Sequence, residues 1–105
     1  MFTGNEGTFI SLADGAALTA AYRTANPNGI KGHFLGIANI NRLLGQTGCV
    51  GLRTYQGIDA NGVTQIVVVA VDRNENDILA ASPLILDKSM MCPPICGPGN
   101  PLNGQ

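Results

Sequence analysis

One histidine and three cysteines form the least ordinary set of chemistry-bearing residues in this chain: His33, Cys49, Cys92 and Cys96. A Cys₃His set is what a tetrahedral structural zinc ion uses, and Cys92-x-x-x-Cys96 has the spacing of a close ligand pair. His33 and Cys49 do not make a second close pair, which zinc modules ordinarily present. The same thiols admit two other states. A Cys92–Cys96 disulfide would close a short loop and add little chain-entropy stabilisation, whereas Cys49 bonded to either would staple the tail to the middle of the chain. Three is odd, so one thiol then stays free. Three reduced cysteines would instead serve as small apolar residues. Reduced, disulfide-bonded and metal-bound states are all compatible with the sequence.

Catalytic arrangements are harder to assemble. A cysteine nucleophile needs a base and an orienting group, and His33, the sole histidine, lies beside an apolar pattern where a hydrogen-bonded structural role is expected. The run Asp72-Arg73-Asn74-Glu75-Asn76-Asp77 imitates the opening of a calcium loop. It places Asp77 where that loop needs glycine and Pro83 where it needs glutamate, so an Asx-rich turn is the better reading. Gly97-Pro98-Gly99 lacks the lysine and the strand–helix setting of a phosphate loop. The remaining carboxylates are scattered, with no pair suited to glycosidase chemistry. The expectation is a protein that is not an enzyme and has no resident cofactor, zinc being the alternative.

Composition narrows the partners. The 105 residues carry only 12% charged side chains, and six Lys/Arg against seven Asp/Glu leave a net charge of −1. Charged residues usually make up about 25%. Six dispersed basic residues and five aromatics do not build a nucleic-acid platform. The longest uninterrupted apolar run, residues 66–71, is far too short to span a bilayer. Without charge, the surface must be covered by Gly, Ala, Asn and Thr, and near-zero net charge removes the repulsion that keeps copies apart. Self-association into a homo-oligomer is therefore expected.

The elements that must position these residues read as α+β. Residues 1–10 are a glycine-punctuated lead-in anchored by Phe2, Phe9 and Ile10. Ser11 and Asp14 resemble a helix start, and an Ala-rich helix over 12–25 follows, with Leu12, Ala16, Leu18, Ala21, Tyr22 and Ala25 as its expected buried stripe. Asn26-Pro27-Asn28-Gly29 ends it. Ile30, Phe34, Ile37, Ile40 and Leu44 predict a second helical face, with the helix proper over 36–46 and a lead-in turn over 30–35. Residues 49–55, the turn Asp59-Ala60-Asn61-Gly62 and the β-branched run 64–71 predict an antiparallel hairpin whose second strand is buried on both faces. Residues 78–86 supply a third, partial strand broken by Pro83. Two N-terminal helices packed on a small antiparallel meander make one domain over 1–91.

Residues 92–105 differ, with four prolines, three glycines and no charge. Proline excludes helix and central strand there. Cys92, Ile95, Cys96 and Leu102 are anchors that a disordered tail would not need, so a pinned, extended Pro/Gly-rich strap is expected.

The run Gly48-Cys49-Val50-Gly51-Leu52-Arg53-Thr54-Tyr55-Gln56-Gly57, the Asp59-Ala60-Asn61-Gly62 turn, Val69-Ala70-Val71-Asp72 and the closing Cys92-Pro93-Pro94-Ile95-Cys96 resemble a family of small uncharacterised proteins from Bacteroidetes bacteria. The resemblance covers nearly the whole chain, including the Ala-Tyr-Arg segment and the terminal Pro-Leu-Asn. It implies one integral domain and no particular activity.

Together these readings predict a structural or interaction protein that associates with itself, in a regular assembly or filament. Cys92, Pro93, Pro94, Ile95, Cys96 and Leu102 are the expected contacts of the strap, a strand-addition contact on a neighbour. Phe2, Phe9 and Ile10 are those of an N-terminal arm. A metal- or redox-linked binding module using His33, Cys49, Cys92 and Cys96 is the competing reading. The N-terminus shows neither a basic region nor an apolar stretch of secretory type, so cytoplasmic residence is the default expectation, with signal-free export left open.

Overall fold

The computed structural model describes residues 1–104. The chain is α+β, in the order α1 (Leu12–Ala25), β1 (Gly32–Phe34), α2 (Ile37–Leu44), β2 (Cys49–Ile58), β3 (Thr64–Asp72) and β4 (Met90–Cys92). Its strands form two separate two-stranded sheets, β2–β3 and β1–β4, in place of one three-stranded meander. The chain divides into two compact units, Met1–Gly7 with Leu35–Ser89, and Thr8–Phe34 with Met90–Gln105. The position expected to separate domain from strap, after residue 91, falls inside the second unit, within β4.

The first unit is built on the β2–β3 hairpin. Its register runs from Cys49 opposite Asp72 to Ile58 opposite Thr64, with a bulge between Cys49 and Gly51. The turn forms because Asp59 folds back on its own backbone. One Asp59 carboxylate oxygen accepts the N–H groups of Asn61 (2.9 Å) and Val63 (3.0 Å), and the other accepts from the Gln65 amide at 2.9 Å. Gly62 takes the positive φ of 78° that the turn demands. These bonds, that from Val63 foremost, hold the Asp59 carboxyl below its usual range.

The core belongs to this unit. Val68, Val69, Ala70 and Val71 are buried in succession, so β3 is covered on both faces, as its β-branched run predicts. α2 packs on the hairpin and contributes Leu43, 2% exposed. The expected helical face is corrected here. Phe34 belongs to β1, Ile37 and Leu44 point outward, and Leu43 is the buried residue.

The third strand over 78–86 shrinks to two isolated bridges, Val71–Asp77 and Val68–Leu86. Ile78 donates to the Ala70 carbonyl, and Leu86 exchanges both of its backbone bonds with Val68. Pro83, which has no N–H to donate, sits in the bulging segment between these contacts. Before it, Asp72 accepts the N–H groups of Asn74 and Asn76, the Asx turn expected at this position.

The second unit holds α1, β1 and β4. The Ser11 hydroxyl caps α1 by accepting the Asp14 N–H at 3.0 Å. β1 and β4 pair antiparallel, Gly32 with Cys92 and Phe34 with Met90, where a lead-in turn was expected. Three residues carry no readable periodicity, and the partner strand lies far along the chain.

Candidate interaction surface

In the second unit the tail is tied down by polar side chains and a covalent bond. Arg23 donates to the Leu102 carbonyl at 2.7 Å, and the Lys31 ammonium to the Asn103 carbonyl at 3.1 Å. Asn103 donates to the carbonyls of Cys96 (3.3 Å) and Pro98 (3.1 Å). The Asn100 side chain accepts from Leu102 N–H at 2.8 Å, closing a turn. The segment thus folds into turns, where an extended strap was expected.

Cys92 and Cys96 share a disulfide, which encloses Pro93, Pro94 and Ile95 at the end of β4. That bond takes up two of the four residues of the expected zinc set. Cys49 is a free thiol of the first unit and donates to the Gly51 carbonyl at 3.3 Å. His33 lies on β1 of the second unit. Among the described residues, no three His, Cys, Asp or Glu side chains are grouped to hold a metal ion.

The apolar side chains of the second unit are largely uncovered. None of its described residues is buried, and Phe9, Ile10, Leu18, Tyr22, Phe34 and Ile95 stand exposed, Phe9 completely. α1 explains part of this. Its apolar residues lie all round the helix, so no single face can take them all inward. Gly15, Ala16, Thr19, Ala20 and Arg23 are its half-buried positions, while Leu18, Ala21, Tyr22 and Ala25 share the exposed face. The expected stripe is therefore corrected: only Ala16 of its members is even half-buried. Small residues line the inner face because the tail crosses it. A Cβ on Gly15 would meet Leu102 Cδ2 at 3.4 Å and Ile10 Cδ1 at 3.8 Å.

Of the expected N-terminal arm, Phe9 and Ile10 belong to this surface, but Phe2 does not. Its N–H donates to the Arg73 carbonyl at 2.8 Å, and its ring lies under the Arg53 guanidinium, 5.8 Å from the centroid, within the first unit. Arg53 in turn contacts Asp77 at 2.6 Å, and the Tyr55 hydroxyl donates to the same carboxylate at 2.5 Å. Tyr55 first and Arg53 second hold the Asp77 carboxyl below its usual range. This cluster, which sequence patterning did not single out, is a brace from the middle of β2 to the segment that follows β3.

Comparison of the chain with protein-family models, curated proteins and solved structures finds no match.

Proposed function

We propose that this protein is a non-enzymatic structural or interaction protein that associates with copies of itself through the uncharged surface of its second unit. The contacts are the outward face of α1, the Phe9–Ile10 segment and the tail residues Pro93, Pro94, Ile95 and Leu102. One observation carries the reading: this unit buries none of its described residues, yet presents large apolar side chains to solvent. Large apolar side chains left uncovered on one unit mark an interaction site where they gather into a patch. Fully covering one Leu, Ile or Phe is worth roughly 1.5–3 kcal/mol, so a few of them suffice to drive association. Low charge leaves little to oppose it.

The test is the native mass by light scattering over a range of concentrations, for the unaltered chain and for Leu18→Asp. The unaltered chain is expected at a multiple of 10.9 kDa, with Leu18→Asp shifted toward the monomer. An unaltered chain that stays monomeric at every concentration overturns the proposal.

The Cys92–Cys96 disulfide favours one part of the competing reading, a redox-linked module, and supports residence in an oxidising compartment. Thiol labelling of freshly isolated protein tests this. One reactive thiol per chain, Cys49, is expected, and three would refute it.

A further inference from the structure

The two long edges of the β2–β3 hairpin are treated differently. Outside β3, the segment 77–86 takes up backbone groups of Val68 and Ala70: Val68 exchanges both bonds with Leu86, and the Ala70 carbonyl accepts from Ile78. Those bonds show that Val68 and Ala70 direct their backbone groups away from β2. In an antiparallel ladder the residues opposite them then do the same on the other side. Thr54 lies opposite Val68 and Leu52 opposite Ala70, and the alternation continues to Gln56 and Ile58. Leu52, Thr54, Gln56 and Ile58 therefore aim their N–H and C=O groups out of the sheet, and no backbone partner among the described residues meets them there.

All four side chains are exposed, Ile58 at 77%. A groove of about 470 Å³, lined by Phe2, Gly4, Glu6 and residues 50–54, lies beside the Leu52–Thr54 part of this edge. Proteins protect such edges with lysine, proline or inward charge. β2 has none of these: its one charged residue, Arg53, is bound to Asp77.

We infer that β2 is a dimerisation edge and that its occupant is β2 of a second copy, antiparallel across a two-fold axis, giving a continuous four-stranded sheet. The sequence of the edge is self-complementary in one register. With the axis at Tyr55, Leu52 lies opposite Ile58 of the partner and Thr54 opposite Gln56 of the partner, apolar against apolar and polar against polar. The four outward residues of each chain then exchange about eight main-chain hydrogen bonds. A two-fold interface must match itself in this way. The contact rests on the self-association proposed above but uses the first unit, so the two can fail separately.

Two measurements test it. In a Cys49→Ser background, Tyr55→Cys places a thiol at the axis and is expected to cross-link into a covalent dimer under mild oxidation. The second is a charge series. Thr54→Lys with Gln56→Lys sets like charges opposite each other and should weaken dimerisation roughly tenfold or more, whereas Thr54→Lys with Gln56→Glu sets opposite charges there and should restore it. The series leaves the hairpin ladder intact and does not depend on the Tyr55–Asp77 bond. A protein that self-associates without the Tyr55→Cys cross-link, and equally well in both charge variants, overturns the edge contact and leaves the broader proposal standing. Cross-linking through Thr54→Cys in place of Tyr55→Cys overturns the register. A strictly monomeric chain overturns both proposals.

Discussion

Each of the two units of this chain keeps its own internal order by different means. In the first, a nine-residue strand is buried over four consecutive positions and Leu43 closes on it from α2. In the second, no described residue is buried, and order comes from a disulfide, a helix cap and hydrogen bonds between long polar side chains and the tail backbone. Small folded units that cannot bury enough apolar surface commonly rely on such cross-links. The difference teaches where stability and association should reside. A unit with a core loses stability when its core is cut, whereas a unit without one should lose its partners when its apolar surface is altered.

The sharpest way to break that comparison is to cut the core. Leu43→Ala should cost about 2–5 kcal/mol by chemical denaturation, since it leaves a cavity that the surroundings refill only in part. Leu18→Ala, on the exposed face of α1, should change monomer stability by less than about 0.5 kcal/mol. Equal losses at the two positions would mean that the units are not distinct in this respect.

Next in size is the disulfide. Replacing both Cys92 and Cys96 by serine removes a short-loop cross-link worth about 2 kcal/mol on chain-entropy grounds. The loss should be local, with faster amide exchange at Met90–Cys92 and Gly32–Phe34 and unchanged protection at Val68–Val71. A matching loss of protection along β3 would contradict the division. Smaller again, Ser11→Ala removes the α1 cap and should cost about 1 kcal/mol, seen as fraying of the first turn in amide exchange.

The smallest effect is acidic. The Thr3 and Gly4 N–H groups donate to the Glu6 carboxylate, and these bonds, Thr3 foremost, bring its pKa down to about 2. Asp77 is lowered by Tyr55 and Arg53. Both carboxyls titrate lower in the folded chain than in the unfolded one. Their contribution is therefore present above pH about 4 and lost as the pH falls through the folded values. The Thr3 and Gly4 amide resonances should titrate with a midpoint near 2. A midpoint at the ordinary value would show that the N-terminal turn does not form.

Much of the first unit was legible in the sequence because its determinants are local. The Asp59 and Asp72 turns bond to neighbouring N–H groups, and the run of valines can be satisfied only by burial on both faces. The limits of α1 were legible for the same reason, with Ser11 at one end and Asn26-Pro27 at the other. What escaped depends on distant partners. β1 exists only because Met90–Cys92 lies beside it, and the inner face of α1 is chosen by Ile10 and Leu102, not by its own apolar residues. At the candidate site, the Cys92–Cys96 spacing allowed a disulfide but did not select it over zinc or free thiols. The open edge of β2 was hidden because an unpaired edge is a property of what does not come next to a strand, which the strand's own residues do not state.

The most direct test of the central claim, that this chain works as an assembly, is its native mass measured by light scattering across a wide concentration range. The account predicts a multiple of 10.9 kDa that grows or saturates with concentration. A single species of 10.9 kDa at every concentration would contradict it.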